Sequence, residues 1–331
     1  MSEATYDVVA IGNAIVDVIA QADHDFIERE GMTAGSMRLI DADEATGLYG
    51  RMGPGRQVSG GSAANTLAGM AALGARCGFI GQVANDQLGQ VFIHDLRATG
   101  VTFDVPPREG QPPTGPCLIL VTPDGQRTMN TFLGASHYLP VAALDEALIA
   151  SGSILYLEGY MWDPEEPRAA MRSAILTARK AGRRVAFTLS AAFVIERYRT
   201  DFQALIDDGL IDILFANEEE IVALTEAPDC ETAVAMVKPK VPLLVVTRSE
   251  KGAIAFENGS RVEVPAEPVE KVVDTTGAGD LFAAGFLTGL SRGRPIGECL
   301  RMGAIAAAEV ISHFGARPEA DLKQLVAEKL G

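Results

Sequence analysis

Hydrophobic positions along this chain fall into two rhythms. Short, continuous apolar runs recur in "YDVVAIG", "CGFIG", "SILYLE", "RVAFTL", "IDILFA" and "PLLVVT". Runs of this length, without polar alternation, suit strands buried on both faces. Between several of them lie stretches with apolar residues at helical spacing, such as "NTLAGMAALG", "PRAAMRSAILTARKAG" and "EEEIVALT". Strand–helix alternation of this kind predicts βαβ units: an α/β fold with a mainly parallel sheet and helices on both faces. Two regions depart from the rhythm. Residues 16–60 carry alternating apolar positions, a short helical pattern "DADEATGLYG" and the loop "GRMGPGRQ". Residues 101–133 carry "CLILVT" and "TMNTFL" joined by "PDGQR", a hairpin signal. We read these insertions as one small β-sheet forming a lid over a core made of residues 1–15, 61–100 and 134–331.

Composition narrows the function. The formal net charge of -16 provides no basic footprint for a phosphate backbone, which argues against nucleic acid. Small nucleotides stay open, because they need only a local nest of amides. Four scattered cysteines without a C-x-x-C pair argue against a zinc site or disulfide framework and fit a reducing cytoplasm. The N-terminus has no basic leader, and no apolar run approaches the about 18 residues of a membrane span. The four histidines show no metal-ligand spacing. The expected state is a monomer or homodimer.

Chemistry concentrates in glycine-rich turns ahead of helices. In "DTTGAGD", Gly277, Ala278 and Gly279 leave backbone N–H groups accessible where the apolar helix "LFAAGFLTGL" begins. Free amides and the helix dipole favour an anion there, with Asp280 in the first turn. The same residues also suit simple helix capping. In "VSGGSAANTLAG", Gly60 and Gly61 let the backbone approach a substrate, and Asn65 offers an amide suited to hydroxyl groups. "IGNAIVD" places Asn13 and Asp17 near the carboxyl end of the first strand, where open α/β sheets bind ligands. Asn217 and Glu220 follow "IDILFA" with a spacing suited to holding Mg²⁺ through water, or to an acidic helix start without metal. Thr247 and Gly252, in "VVTRSEKG", can border a nucleotide. In "GAIAAAEVISHFGARP", the small residues suit close helix packing or a slot for a flat purine. A P-loop, a first-strand G-x-G-x-x-G and a G-x-S-x-G elbow are all lacking.

Taken together, "DTTGAGDLFAAGFLTGL" and "GGSAANTLAGMAALGARCGFIGQVANDQLG", with "NEEE" between them, resemble the two signatures of the PfkB, or ribokinase-like, family of carbohydrate and nucleoside kinases. The resemblance implies a three-layer α/β/α core with a small β-sheet lid. It also implies phosphoryl transfer from ATP to a primary alcohol. On that resemblance Asp280 is the general base and the amides of 277–279 form the anion hole. Asn217 and Glu220 match an N-x-x-E that tunes Mg²⁺, and Thr247 and Gly252 border ATP. Asp274 and Thr276 match a turn that holds a monovalent cation, K⁺, through backbone carbonyls. Asn13, Asp17, Gly60, Gly61 and Asn65 hold the acceptor's hydroxyls. An ordinary aspartate is ionised at pH 7, so the base requires no large pKa shift.

"IGNAIVD", "TLSAAF" and "SGGSAANT" are similar to strings of the adenosine kinase branch, with Ala192 where that branch has proline. Arg127 resembles a lid arginine that reaches phosphate or substrate, and is equally an exposed turn arginine. Ile15, Val16, Cys117, Leu133 and Tyr160 are apolar candidates for enclosing a base. The expected acceptor is adenosine. The alternatives are ribose, fructose or a related sugar, and a non-catalytic nucleotide-binding homologue.

Overall fold

The computed structural model describes residues 4–331. The apolar runs become the central strands of an eight-stranded sheet. They are β1 (Tyr6–Ile11), β5 (Cys77–Ile80), β8 (Gly152–Glu158), β9 (Arg184–Thr188), β10 (Ile213–Asn217) and β11 (Leu243–Thr247). Two further strands, β12 (Ala253–Glu257) and β13 (Ser260–Val264), extend it in the order β13-β12-β11-β10-β9-β8-β1-β5. Every pairing from β11 to β5 is parallel, whereas β12 and β13 turn back antiparallel. Helices cover both faces, giving the ribokinase-like α/β fold. Burial on both sides explains why strands such as β11, "LLVVT", carry no alternation.

The smaller sheet has five strands: β2 (Ile15–Gln21), β3 (Met37–Leu39), β4 (Gly55–Gly60), β6 (Pro116–Val121) and β7 (Arg127–Thr131). Its order is β3-β7-β6-β2-β4, and β6 and β7 form the hairpin that "PDGQR" signals. Pairing of β2 with β6 joins the two insertions. The stretch "GRMGPGRQ" is only partly a loop, because β4 begins at Gly55 and pairs with β2.

The Ala278–Ser291 helix packs against the helices Ser62–Ala72 and Ile296–Val310. A Cβ on Gly285 would stand 2.3 Å from Met302 O, so this contact is backbone-close. Phe282 likewise fills the space beside Gly303, where an added Cβ would meet its ring carbons at 3.0 Å.

Candidate active site

Parallel strands end together, and here their carboxyl ends align polar residues. Register sets Glu158 beside Thr188 and Asn217 beside Thr247. That edge, two helix N-termini and the smaller sheet enclose a cavity of about 420 Å³. It is lined by the predicted residues Asn13, Asp17, Gly61, Asn65, Cys117, Leu133 and Tyr160 at one end. At the other are Asn217, Glu220, Thr247, Thr276, Gly277, Ala278, Gly279 and Asp280. Gly60, Arg127, Gly252 and Asp274 lie outside that lining.

Asp280 sits in the first turn of its helix, and its carboxylate is fixed from the neighbouring helix. Ser62 Oγ donates to Oδ1 at 2.7 Å and Asn65 Nδ2 to Oδ2 at 3.1 Å. The two donors are three residues apart, which puts them on one helix face. Burial pushes the Asp280 carboxyl up from its ordinary value, opposed by these hydrogen bonds and by the charge of Arg317. The base reading asked for no large shift; the structure adds an upward push from burial, which sequence does not display. Gly277 caps the helix in the left-handed region (φ 79°), where a Cβ would lie 2.8 Å from that of Ala316. First-turn amides have no carbonyl within the helix. That of Ala278 turns back to Thr275 O at 3.2 Å, while Gly279 faces open space.

The floor around Asn13, Asp17 and Asn65 is rich in oxygen. Asn13 N and Nδ2 both donate to Glu158 Oε1 (2.9 and 2.7 Å), and Ala63 N donates to Oε2 (2.7 Å). The amide oxygens of Asn13 and Asn65 are buried without a hydrogen-bond partner among the described residues. Buried orphan acceptors are costly, and their presence in a cavity marks where donor hydroxyls would bind. Asp17 lies against Gly60, where a Cβ would come within 2.4 Å of its Oδ1. Gly61, at φ 94°, would bring a Cβ to 2.1 Å from Asn13 O, so the turn needs glycine. Burial drives Asp17 up to about 7 against the pull of Arg317 and Arg127. Burial likewise lifts Glu158 to about 7.

The roof is apolar. Ile15, Cys117 and Ile119 form their own cluster, with Met129 and Leu133 packed on it, on the cavity side of the smaller sheet. Val16, the next residue along β2, points away into the main core. Tyr160 anchors its hydroxyl on Ser190 O (3.1 Å), and its ring lies 6.2 Å from that of Phe193.

At the opposite end of the cavity, Asn217 and Glu220 form a reciprocal cap. Asn217 Oδ1 accepts from Glu220 N (2.8 Å), and Asn217 N and Nδ2 donate to the carboxylate (3.0 Å each). Burial raises Glu220 to about 7. Among the described residues no group of three or more His, Cys, Asp or Glu is gathered as a direct metal shell. A single cavity-facing carboxylate fits a hydrated Mg²⁺, which keeps several of its waters.

Asp274 shapes the turn from below. Its carboxylate accepts from Thr276 N and Gly315 N (3.0 Å each) and pairs with Arg127 Nη2 at 2.8 Å. Arg127 is thus a buried roof residue, not an exposed turn arginine, and its guanidinium also lies over the Phe314 ring. Gly252 bends the chain into β12, where a Cβ would strike Val264 O at 2.1 Å. Four residues of this neighbourhood escape the sequence reading: Ser62, Glu158, Phe193 and Arg317. Ser62 and Phe193 lie inside quoted strings, and Glu158 ends a buried strand. Each carried a usable signal. Arg317 lies in "GAIAAAEVISHFGARP", where only the small residues drew a reading.

A family model described as pfkB family carbohydrate kinase matches residues 7–322. The chain belongs to that family. Its homologues in the pfkB family are kinases, phosphotransferases with hydroxyl acceptors that use ATP, generally with Mg²⁺. An adenosine kinase from Sinorhizobium meliloti is 47% identical, with a TM-score of 0.93 over 99% of this chain and 100% of that one. A probable sugar kinase protein from Rhizobium etli CFN 42 is 41% identical, with a TM-score of 0.93 over 98% and 99%. A fructokinase of Klebsiella pneumoniae is 30% identical over 245 residues, 72% of this chain and 80% of that one. Among the described residues no helix is long and apolar enough to cross a membrane.

Proposed function

We propose that this kinase transfers the γ-phosphoryl group of ATP to the 5′-hydroxyl of adenosine, giving AMP. One observation carries the acceptor: an apolar roof of Ile15, Cys117 and Leu133 stands over a floor of orphan acceptors and Asp17 in one cavity. A nucleoside has that division, with a flat apolar base and a ribose bearing adjacent hydroxyls. Asp17, Asn13 and Asn65 then grip the ribose beside Gly60 and Gly61, while the base lies between the roof and Tyr160.

Phosphoryl transfer through a loose transition state asks mainly for positioning and charge stabilisation. Asp280 accepts the hydroxyl proton, and the amides of 277–279 with the helix dipole stabilise charge on the transferring oxygens. Asn217 and Glu220 hold Mg²⁺ through water, and Thr247 borders ATP with Gly252 behind it. The carbonyls around Asp274 and Thr276 hold K⁺, and the Asp274 side chain keeps the turn in shape. Four free thiols accord with a cytoplasmic protein, taken here as a monomer or homodimer.

A sugar acceptor is the second reading, favoured by Glu158 as a further carboxylate on the floor. Rates with Mg-ATP and adenosine, inosine, ribose or fructose on one preparation decide. Adenosine should exceed both sugars in kcat/KM by at least about tenfold, a difference of about 1.4 kcal/mol in transition-state binding. Parity with ribose or fructose would replace the nucleoside reading with the sugar one.

A further inference from the structure

Arg317 comes from the loop after the Ile296–Val310 helix, yet its guanidinium ends behind the acceptor floor. Nη2 donates to Ser59 O (2.7 Å) and Ser59 Oγ (3.0 Å), Nε to Ser59 O (3.2 Å), and Nη1 to Ala64 O (2.8 Å). Ser59 and Ala64 bracket the turn containing Gly60, which backs Asp17, and Ser62, which holds Asp280. A planar guanidinium is pre-organised to span such a bracket, and it stays charged where a lysine sheds its proton more readily.

We propose that Arg317 is a positioning residue for phosphoryl transfer, bracing the Ser59–Ala64 turn and setting a half-buried positive charge before both Asp17 and Asp280. The assignment rests on Asp280 as proton acceptor. The charges around these two acids make the arrangement necessary. Asp280 raises the cost of ionising Asp17, and does the same to Glu158. Arg317 opposes burial at both aspartates, and Arg127 adds to this at Asp17 alone. Asp95, which accepts from Ser59 N at 3.2 Å, faces Arg317 from the Gln87–Ala98 helix. A base must be ionised before it can take a proton, so a fixed cation behind it widens its working range towards acid.

The test is the pH dependence of kcat and kcat/KM for adenosine in wild type, Arg317→Gln and Arg317→Lys, with Asp280→Asn as reference. Arg317→Gln should move the acid limb of both profiles upward by about one pH unit, so that activity on that limb drops by up to about tenfold while activity on the alkaline side changes less. Arg317→Lys loses the fork but supplies an ammonium that is protonated on the acid side, so its acid limb should stay at the wild-type position while kcat falls. A loss uniform across pH in Arg317→Gln, or an upward-shifted limb in Arg317→Lys, overturns the proposal. If the glutamine variant does not fold, the lysine profile decides alone. Failure of the underlying reading is separate: it shows as near wild-type turnover in Asp280→Asn.

Discussion

Replacing Asp280 by asparagine separates what this carboxylate does for the reaction from what it does for the fold. The side chain is half-buried and held by Ser62 Oγ and Asn65 Nδ2. An asparagine keeps the volume and one acceptor. The Asn65 amide, whose oxygen has no partner, can turn to accept from the new NH₂. The network therefore survives. Loss of the general base should lower kcat by about 10²–10⁴, or about 3–5 kcal/mol of transition-state stabilisation. Stability should move the other way. The Asp280 carboxyl is raised above its ordinary value, so the folded state prefers it protonated. Its favourable contribution is complete below the unfolded pKa and is lost as pH rises through the raised one. At pH 7–8 the asparagine variant should thus melt at the wild-type temperature or above it. Coupled ADP-release kinetics and thermal unfolding on the same samples measure both. Turnover within about threefold of wild type would refute the base assignment, since it lies far outside the range for lost proton transfer. A fall in Tm would refute the reading of Asp280 as a charge held at a cost to the fold.

Gly279→Val should fold normally, because a Cβ there meets nothing within 4 Å, and yet occupy the space before the amides. Steady-state kinetics should show kcat falling more than acceptor affinity, and a change confined to the acceptor KM would contradict the role. Asp17→Ala should weaken any ribosyl acceptor by about 1–3 kcal/mol, the cost of leaving buried hydroxyls unpaired, read by acceptor titration. Rates in K⁺ should exceed those in tetramethylammonium at matched ionic strength, and equality would remove the cation from the Asp274 turn. Asp17, Glu158 and Glu220 are each lifted to about 7, so Tm of the ligand-free protein should decline as pH rises from 5 to 8. A melting temperature that climbs over that interval would show these groups to be ionised at little cost.

The core was legible in the sequence because its strands are buried on both faces and its helices have one apolar side. Runs such as "ILFA" and "LLVV" leave few other readings. Glycine turns gave the site for a similar reason: close backbone approach requires the missing side chain, and Gly61 and Gly277 declare it. β4 was obscured by its glycine and arginine content, since an edge strand can be half exposed and polar. Charge placement was hidden more deeply. Arg127 follows a hairpin turn, the usual address of a solvent-facing arginine, yet it pairs with a residue 147 positions away. Arg317 lies after a helix end, and nothing local shows that Ser59 and Ala64 will be its partners. Burial lifts acids that composition records only as charge.

The Arg127–Asp274 pair spans a seam. Arg127 belongs to a roof strand, and Asp274 to the turn that sets the amides beneath it. The contact is short, but its alignment is poor: Nε, Nη1 and Nη2 all lack a well-directed hydrogen-bond partner while the seam is shut. Separating the two parts would give those nitrogens water in exchange for the Asp274 pair and the Phe314 contact. The clasp therefore holds by charge more than by fit. The pair fastens a roof strand to the turn that presents the amides, a joint across the cavity that neither sheet supplies alone.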